Sequence, residues 1–200
     1  MKEFIMKRLS LSLFLVLILS LPVFVNATEW TFDMAHTNIG FSITHLVVSD
    51  VTGRFKEFDG SFTSESDDFS GSEVNIVIKT ASVFTDHEKR DGHLRSSDFF
   101  DAEKNPEITF KSTDFKKVAD KKYKISGKLL MNGVTQDVIF DATLTGIIKD
   151  FRDATRAGFK AWTTIDRYDY NLTYNKALET GGFLISREVE ININVELIQK

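Results

Sequence analysis

The chain has 200 residues, no cysteine and a formal net charge of −4 at neutral pH. The lack of cysteine excludes disulfides, thiol catalysis and cysteine-ligated metal centres, and the acidic balance leaves no basic surface for nucleic acid or anionic membranes. The length is sufficient for one domain with a substantial core and is short for two.

The N-terminal residues have the pattern of a secretory signal peptide. Two basic residues precede an uncharged apolar run over 9–21, and residues 25–27 are Val-Asn-Ala, a suitable cleavage site. An uncleaved membrane anchor is the alternative, although the run is short for a bilayer span. The pattern predicts a cleaved peptide over 1–27 and an exported domain over 28–200 with no permanent membrane anchor.

The composition of the exported domain favours the periplasm. Removal of 1–27 takes away three basic residues and one acidic residue, which brings the net charge to −6. Small secreted domains of oxidising compartments usually depend on disulfides, and this one has no cysteine. A Gram-negative periplasm therefore suits the domain better than the exterior of a eukaryotic cell, and we expect no nucleic-acid partner.

Alternation of apolar and polar residues dominates the rest of the chain, as in strands with one buried face. One face of the first clear strand carries Ile39, Phe41, Ile43, His45 and Val47. Further strands are predicted near 55–63, 73–80, 107–115, 122–131, 134–145, 157–167 and 189–197. About eight strands at this spacing predict an all-β antiparallel barrel or sandwich.

Two turns can be placed between these strands. Asn132-Gly133 suits a type I′ turn, because both residues tolerate positive φ, and it should join the strands on either side as a tight hairpin. Asn105-Pro106 marks the turn that leads into the following strand.

The segment between 85 and 102 breaks the strand pattern. Thr85-Asp86-His87-Glu88 fits a capping box with Thr85 as the N-cap, which predicts a helix start. Ser97-Asp98 is positioned to cap a second short turn that carries Phe99 and Phe100. A short helical excursion between two barrel strands would shape the mouth of the barrel.

Phenylalanine is abundant, with 18 residues against four tyrosines and two tryptophans. A barrel of about eight strands has an interior that side chains can fill or that one ligand can occupy. A lumen lined by phenylalanine would accept a hydrocarbon chain, because the phenylalanine ring has no hydrogen-bonding group that needs a polar partner. Ordinary core filling explains the same composition, so composition alone leaves both interpretations open.

The polar residues indicate no metal and no catalytic centre. His87, Asp91 and His93 are candidate metal ligands, and His87 and Asp91 could share one helix face, but no third strong ligand lies at a defined spacing from that pair. A serine hydrolase is disfavoured because no Gly-x-Ser-x-Gly elbow is present. His45 falls on the inner face of its strand, where a structural role and a ligand contact are both open. An outer-membrane barrel is disfavoured by the high charge and the missing aromatic girdles.

Arg167 shares a strand face with Phe159 and Ile165. An inward arginine can meet a phosphate or quinone head group, or it can pair with a carboxylate such as Asp169. The ion pair is the interpretation that we favour from the sequence.

Several ordered motifs carry a resemblance to a known family. They are the opening stretch 33–46, the charged segment Arg90–Ala102, the hairpin Gly127–Thr135, the triplet Ala157–Phe159 and the triplet Ile165–Arg167. Together they resemble the YceI-like family of periplasmic lipid-binding proteins over almost the whole of 28–200. Tyr170-Asn171-Leu172 departs from the family pattern, which has a glycine at or near position 171.

The resemblance implies a lipocalin-like barrel that holds an extended isoprenoid or fatty-acyl chain, with a quinone as one candidate, and no catalysis or cofactor. It also implies a homodimer, for which the sequence shows no interface. An enzyme that acts on a similar lipid, with His45 or His93 as base, is the alternative. The residues expected to contact the ligand are Ile39, Phe41, Ile43, His45, Phe84, Leu94, Phe99, Phe100, Phe110, Phe140, Phe159 and Arg167.

Overall fold

A computed structural model describes residues 27–177 and 183–200. Apart from Ala27, the predicted signal peptide lies outside the described residues. Eleven strands of the described chain form one antiparallel sheet: β1 (Thr28–Phe32), β2 (Asn38–His45), β3 (Ser49–Phe55), β4 (Phe58–Ser64), β5 (Glu73–Lys79), β6 (Val83–Phe84), β7 (Glu107–Ala119), β8 (Lys122–Met131), β9 (Val134–Lys149), β10 (Thr155–Asp166) and β11 (Glu188–Gln199).

The sheet closes into an eight-stranded antiparallel barrel, which confirms the predicted fold class. Three pairs of short strands, β1 with β2, β3 with β4 and β5 with β6, each act as one interrupted strand. Strand β11 pairs along one edge with β2 at its start and with β1 at its end, where Leu197 lies opposite Phe32. This shared edge completes the ring.

The first predicted strand was too long at its C-terminal end. Strand β2 ends at His45, and residues 46–48 form the turn into β3. Val47 is 81% exposed and has a φ of 63°, so it does not share the inner face of β2 as predicted. Val47 continues the apolar alternation of β2 in the sequence, but it lies in a turn and points to solvent.

The Asn132-Gly133 hairpin is confirmed. The two residues have φ values of 48° and 75°, and Met131 pairs with Val134 across the turn. The side chain of Asn132 also joins the hairpin to its surroundings, since it donates to the carbonyl of Tyr170 and accepts from the amide of Asn105.

The short helix is present, but the predicted capping box is wrong. Helix α1 spans Glu88–Arg95, and its N-cap is His87, whose Nδ1 accepts the backbone N–H of Arg90. Thr85 is used elsewhere, because its backbone N–H and its hydroxyl both donate to the buried carboxylate of Asp91, at 2.8 and 2.5 Å. Ser96, and not Ser97, caps the turn that follows by accepting the N–H of Asp98.

Aromatic rings fill one end of the barrel. The rings of Phe62, Phe69, Phe115, Tyr123 and Phe159 pack with centroid separations between 5.1 and 6.1 Å, mostly edge to face. All five are buried. Edge-to-face packing of this kind is favourable beyond the area that it buries. This end, where β11 finishes, is therefore a solid core, and we call it the closed end.

An ion-pair network covers the outside of the closed end. Arg156 on β10 contacts Asp33 at 2.7 Å, Asp150 at 2.7 Å and Glu196 at 2.6 Å. Asp33 follows β1, so the network ties the interruption between β1 and β2 to β11 and to the β9–β10 turn. Hydrogen bonds from Arg156 and then His36 lower the pKa of Asp33 from 3.8 to about 2, and Arg156 also lowers the pKa of Asp150.

This network predicts a loss of stability in acid. A carboxyl group whose pKa is lower in the folded state stabilises the fold above its unfolded pKa, and that stabilisation disappears as the pH falls through the folded value. We expect the free energy of unfolding to decrease between about pH 4 and about pH 2, with a shallower decrease in Asp33→Asn. Urea unfolding at several pH values measures this.

Asp153→Asn is the matched control for that experiment. Asp153 lies in the β9–β10 turn with a positive φ that Asn tolerates, and its pair with Lys149 is exposed to solvent. An exposed pair contributes little to stability, so this variant should follow the wild-type pH curve. Identical curves for wild type and Asp33→Asn would refute the assignment.

Candidate ligand-binding cavity

A cavity of about 590 Å³ occupies the barrel between the closed end and the opposite end. Its volume lies within the usual range of small-molecule sites, roughly 300–1,000 Å³. Phe62, Phe115 and Phe159 of the closed end form its floor. The cavity therefore has one filled end and one end where it approaches solvent, which we call the mouth.

The wall of the cavity is almost entirely apolar. Apart from Thr37, its polar side chains lie at the mouth. They are His45, Ser49, Arg90, His93, Arg167 and Tyr174. No Asp or Glu among the described residues lines it. A buried hydrocarbon chain would meet carbon along most of the wall, while a polar group would find charged donors only at the mouth.

The structure brings most of the expected ligand-contacting residues to this one cavity. They are Ile39, Phe41, Ile43, His45, Leu94, Phe99, Phe100, Phe110, Phe140, Phe159 and Arg167. Strand alternation explains those on β2, β7, β9 and β10, because residues two apart share a face. Leu94, Phe99 and Phe100 come from α1 and the turn after it, which bends over the mouth.

Phe84 is the exception, because the structure places it outside the cavity. On β6 the neighbouring Val83 takes the inner face and is 2% exposed. The Phe84 ring packs instead against two cations, with Lys56 Nζ 3.6 Å and Arg54 Cζ 5.1 Å from its centroid. In a two-residue strand only one side chain can face inward, and here it is the valine.

Many lining residues were not among those expected. Several lie on strands whose alternation already indicated an inner face, such as Ile191, Ile193 and Val195 on β11. Others lie on the segments 172–177 and 183–187, where no periodic pattern exists; Leu172, Leu184 and Ile185 line the cavity from there. Only the chain path in three dimensions brings those segments to the mouth.

Two glycines hold aromatic rings against the barrel wall. The outer edge of the Phe110 ring lies where a Cβ atom of Gly127 would be, and the Phe41 ring lies over Gly53 in the same way. Both rings line the cavity. Because each ring leans along the wall over a residue with no side chain, it leaves the centre of the lumen open.

Gly127→Ala should therefore narrow the cavity. The new methyl group overlaps the Phe110 ring and pushes it towards the lumen, at a cost of about 1–3 kcal/mol in unfolding free energy. We expect the variant to bind shorter hydrocarbon chains than the wild type, measured by mass analysis of extracted or added lipids.

Two further variants sharpen this experiment. Gly146→Ala is the control, since a Cβ atom there meets nothing within 4 Å. Phe110→Leu combined with Gly127→Ala should restore the chain length, because the smaller side chain leaves the lumen free. Only part of the stability should return, since the methyl group also lies 2.6 Å from the carbonyl oxygen of Lys111. A Gly127→Ala protein with wild-type capacity would contradict the proposed role of the glycine.

Three rings meet across the mouth. His93 of α1, Phe99 and Tyr174 have pairwise centroid distances of 5.0, 4.9 and 4.9 Å. His93 Nε2 also lies 2.9 Å from Asp98 Oδ2. The contact joins the helical segment to the segment 172–177 and narrows the mouth between them.

Arg167 fixes the other side of the mouth. It is 2% exposed and lies in a 3-10 helix, Arg167–Tyr170, at the end of β10. Its guanidinium donates to the carbonyls of Ser186 at 2.8 Å and Tyr174 at 2.9 Å, and to that of Leu172. Burial lowers its pKa below the usual arginine value.

The predicted ion pair between Arg167 and Asp169 is wrong. Among residues 27–177 and 183–200 no carboxylate forms a salt bridge with Arg167; the nearby Asp166 pairs with Arg187, while Asp169 is exposed. The three carbonyl acceptors and the Tyr168 ring, 4.8 Å from the guanidinium carbon, surround the cation instead. Arg167 Nη2 is buried and has no hydrogen-bond partner among the described residues.

Asn171 explains why the departure from the family pattern leaves this turn intact. It ends the 3-10 helix with a φ of 59°, in the left-handed region. Asparagine is the residue that adopts this region most readily after glycine. Asparagine therefore adopts here the positive φ for which a glycine was expected at or near this position.

We expect Arg167→Met to destabilise the mouth strongly. Three carbonyls would lose a charged donor in a buried place, which costs about 2–4 kcal/mol in unfolding free energy. Arg187→Met is the control: that side chain is 57% exposed and its pair with Asp166 should contribute less than about 1 kcal/mol. Chemical unfolding of both variants measures the difference, and equal effects would contradict the role of Arg167.

The candidate metal ligands of the charged segment do not converge. Asp91 is bound to Thr85, while His93 turns towards Asp98. A different group, Asp33, His36 and Glu196, has ligand atoms within 4.8 Å of one another. Arg156 Nη1 already lies between two of these carboxylates, so a guanidinium neutralises the group.

The fold and the cavity together define the class of protein. A closed antiparallel barrel with an apolar lumen and a polar mouth is the architecture of lipocalin-like ligand-binding barrels. None of the helices in 27–177 and 183–200 has the length and hydrophobicity needed to cross a bilayer.

The chain belongs to the YceI-like family, whose domain matches residues 30–197. A UPF0312 protein of Pectobacterium carotovorum is 41% identical over 197 residues, which cover 98% of this chain and 99% of that protein. A crystal structure of the Campylobacter jejuni YCEI protein has a TM-score of 0.69 and 34% identity, and the match covers 85% and 97% of the two chains. A polyisoprenoid binding domain from Saccharophagus degradans shares the fold, with a TM-score of 0.61, 16% identity and coverage of 86% and 98%.

Proposed function

We propose that the protein binds a long-chain isoprenoid or related lipid in the barrel without chemical change, as a periplasmic carrier or store. The observation that supports this most is the separation of surfaces inside the cavity: an apolar wall and floor, with polar side chains at the mouth. A molecule with a hydrocarbon tail and one polar head matches this arrangement.

The tail would supply most of the binding free energy. Each methylene group removed from water contributes about 0.8 kcal/mol, so a tail of several isoprene units offsets the cost of association. A branched, flexible chain suits a wall of phenylalanine and β-branched side chains. The name of the Saccharophagus degradans domain, which shares the fold, supports the same ligand class.

The head group would lie between His45, Arg167 and the ring of Tyr174. These side chains line the cavity at the mouth, and the cavity wall offers no carboxylate among the described residues to repel an electron-rich group. Oxygen acceptors, such as those of a quinone or a phosphate, are the natural partners of arginine and histidine donors. A quinone is our specific candidate.

We propose export as the route to this role, with 1–27 removed as a signal peptide and 28–200 as the mature domain. Insoluble lipids need a carrier to cross an aqueous compartment between two membranes. The apolar lumen supports such a role, because it would shield the tail from water for the length of the transfer.

An enzyme that acts on the same lipid would need a base near its reacting atom. His93 pairs with Asp98, but the two side chains are 40% and 56% exposed, so the pair lies open to water. His45 makes no side-chain hydrogen bond among the described residues that would orient it as a base. Binding without turnover therefore explains the site with fewer requirements.

The test is native mass spectrometry of the protein purified from its own periplasm, followed by mass analysis of a solvent extract. We expect one prenyl or acyl lipid per barrel. Ile193→Trp should reduce the bound fraction at least about tenfold, because the indole fills the lumen where Ile193 lines it.

Asn192→Trp is the matched control, since position 192 is exposed on the outer face of the same strand. It should carry wild-type amounts of lipid. A wild-type protein that is empty and takes up no added quinone or fatty acid would refute the proposal. If the wild type converts an added lipid and His45→Ala or His93→Ala does not, the alternative of an enzyme would be favoured.

A further inference from the structure

Large apolar side chains project into solvent at the mouth of the barrel. Val47 and Val48, in the β2–β3 turn, are 81% and 82% exposed, and Leu46 is 37% exposed. Phe183, on the neighbouring segment 183–187, is 57% exposed. We call these four residues the apolar rim. Exposed apolar groups that cluster in this way commonly mark a binding surface.

Backbone hydrogen bonds hold the two parts of the rim together. The N–H of Leu46 donates to the carbonyl of Leu184 at 2.9 Å, and the N–H of Ser186 donates to the carbonyl of Thr44 at 3.0 Å. His45 and Ile185 form a β-bridge between them. The rim is therefore one continuous edge built from two adjoining segments, and not two separate exposed patches.

The rim leads directly into the cavity. His45 and Leu184, each adjacent in sequence to a rim residue, line the lumen. An apolar path thus runs from the outer surface of the mouth to the apolar wall. A hydrocarbon chain could follow this path without being placed in water.

The turn carries backbone strain at two of its exposed apolar residues. Leu46 and Val47 have φ values of 54° and 63°, a region that residues other than glycine and asparagine adopt at a cost. For a β-branched residue such as valine the conformation is especially unfavourable. A turn that only joined two strands would be more stable with asparagine or glycine at these positions.

We propose that the apolar rim docks on the surface of a lipid bilayer and opens the cavity to it, so that the ligand moves between membrane and lumen. This inference rests on the proposed lipid-binding function, because it identifies where that ligand is collected or delivered. The docking is driven by burial of apolar area and not by charge, since the chain is acidic overall and the four rim residues are uncharged.

The closed end offers a comparison within the same molecule. Ile148 and Phe151, on β9 and in the β9–β10 turn, are 63% and 90% exposed. Below them the aromatic core fills the barrel. These two side chains are as exposed as those of the rim, but they lie on the side of the filled end and so provide a control for exposed apolar groups away from the mouth.

The experiment measures flotation of the full mature protein with phosphatidylcholine vesicles. The docking variant is Val47→Gly with Val48→Ser, in which glycine also relieves the strained φ, so loss of folding is not expected. We expect its vesicle-bound fraction to fall at least about tenfold, because two exposed valines no longer enter the interface. Binding of the wild type should change little between low and high salt.

The control variant is Ile148→Ser with Phe151→Ser, which should float like the wild type. Equal flotation of all three proteins, or a loss in the control variant alone, would overturn the proposal. The proposal would also be overturned if the apolar rim formed a dimer interface instead of docking on a bilayer. Analytical ultracentrifugation would then show a concentration-dependent dimer in the wild type that the docking variant lacks.

A second readout separates this inference from the proposed function. A quinone delivered from detergent, without vesicles, should fill the wild type and the docking variant equally, whereas filling from vesicles should be slower in the variant. If neither protein takes up quinone or an added fatty acid from detergent, the lipid-binding function fails. If both fill from detergent and from vesicles at the same rates, binding stands and the docking inference fails.

Discussion

Closure of the barrel requires one edge of β11 to pair with two different strands, β1 and β2. The edge of β11 faces β2 near its start and β1 near its end, so the interruption between β1 and β2 has to fall at the right place along it. Arg156, with Asp33 and Glu196, secures that interruption from outside. Without this closure the sheet would have two free edges and no enclosed lumen.

Closure alone does not explain why the lumen is hollow at one end and filled at the other. The aromatic rings gather where β11 ends, whereas towards the mouth two rings lean over glycines and leave the centre free. Large side chains in a barrel can thus fill it or line it, depending on the residue beside them. The difference between a core and a binding cavity lies in Gly53 and Gly127 as much as in phenylalanine.

The sequence predicted those features of the fold that depend on residues close together in the chain. Alternation identified β2 and β11, and Asn132-Gly133 identified its hairpin, because both follow from backbone geometry over a few residues. The capping of α1 could not be predicted, since Thr85 is drawn away by Asp91, six residues further on. The ligand contact expected of Phe84 failed because Arg54 and Lys56, from a distant part of the chain, lie against its ring. The ion pair expected of Arg167 failed because backbone carbonyls, which no residue type announces, take the place of the carboxylate.

Arg167 shows how such distant partners couple the fold to the site. Its guanidinium holds carbonyls from segments on both sides of residues 178–182, so the shape of the mouth depends on a buried cation. With no carboxylate salt bridge among the described residues, that charge is balanced only by dipoles and the Tyr168 ring. Removal of this cation would release the carbonyls of Ser186 and Tyr174 together, so the two segments that flank the mouth depend on one side chain for their relative position.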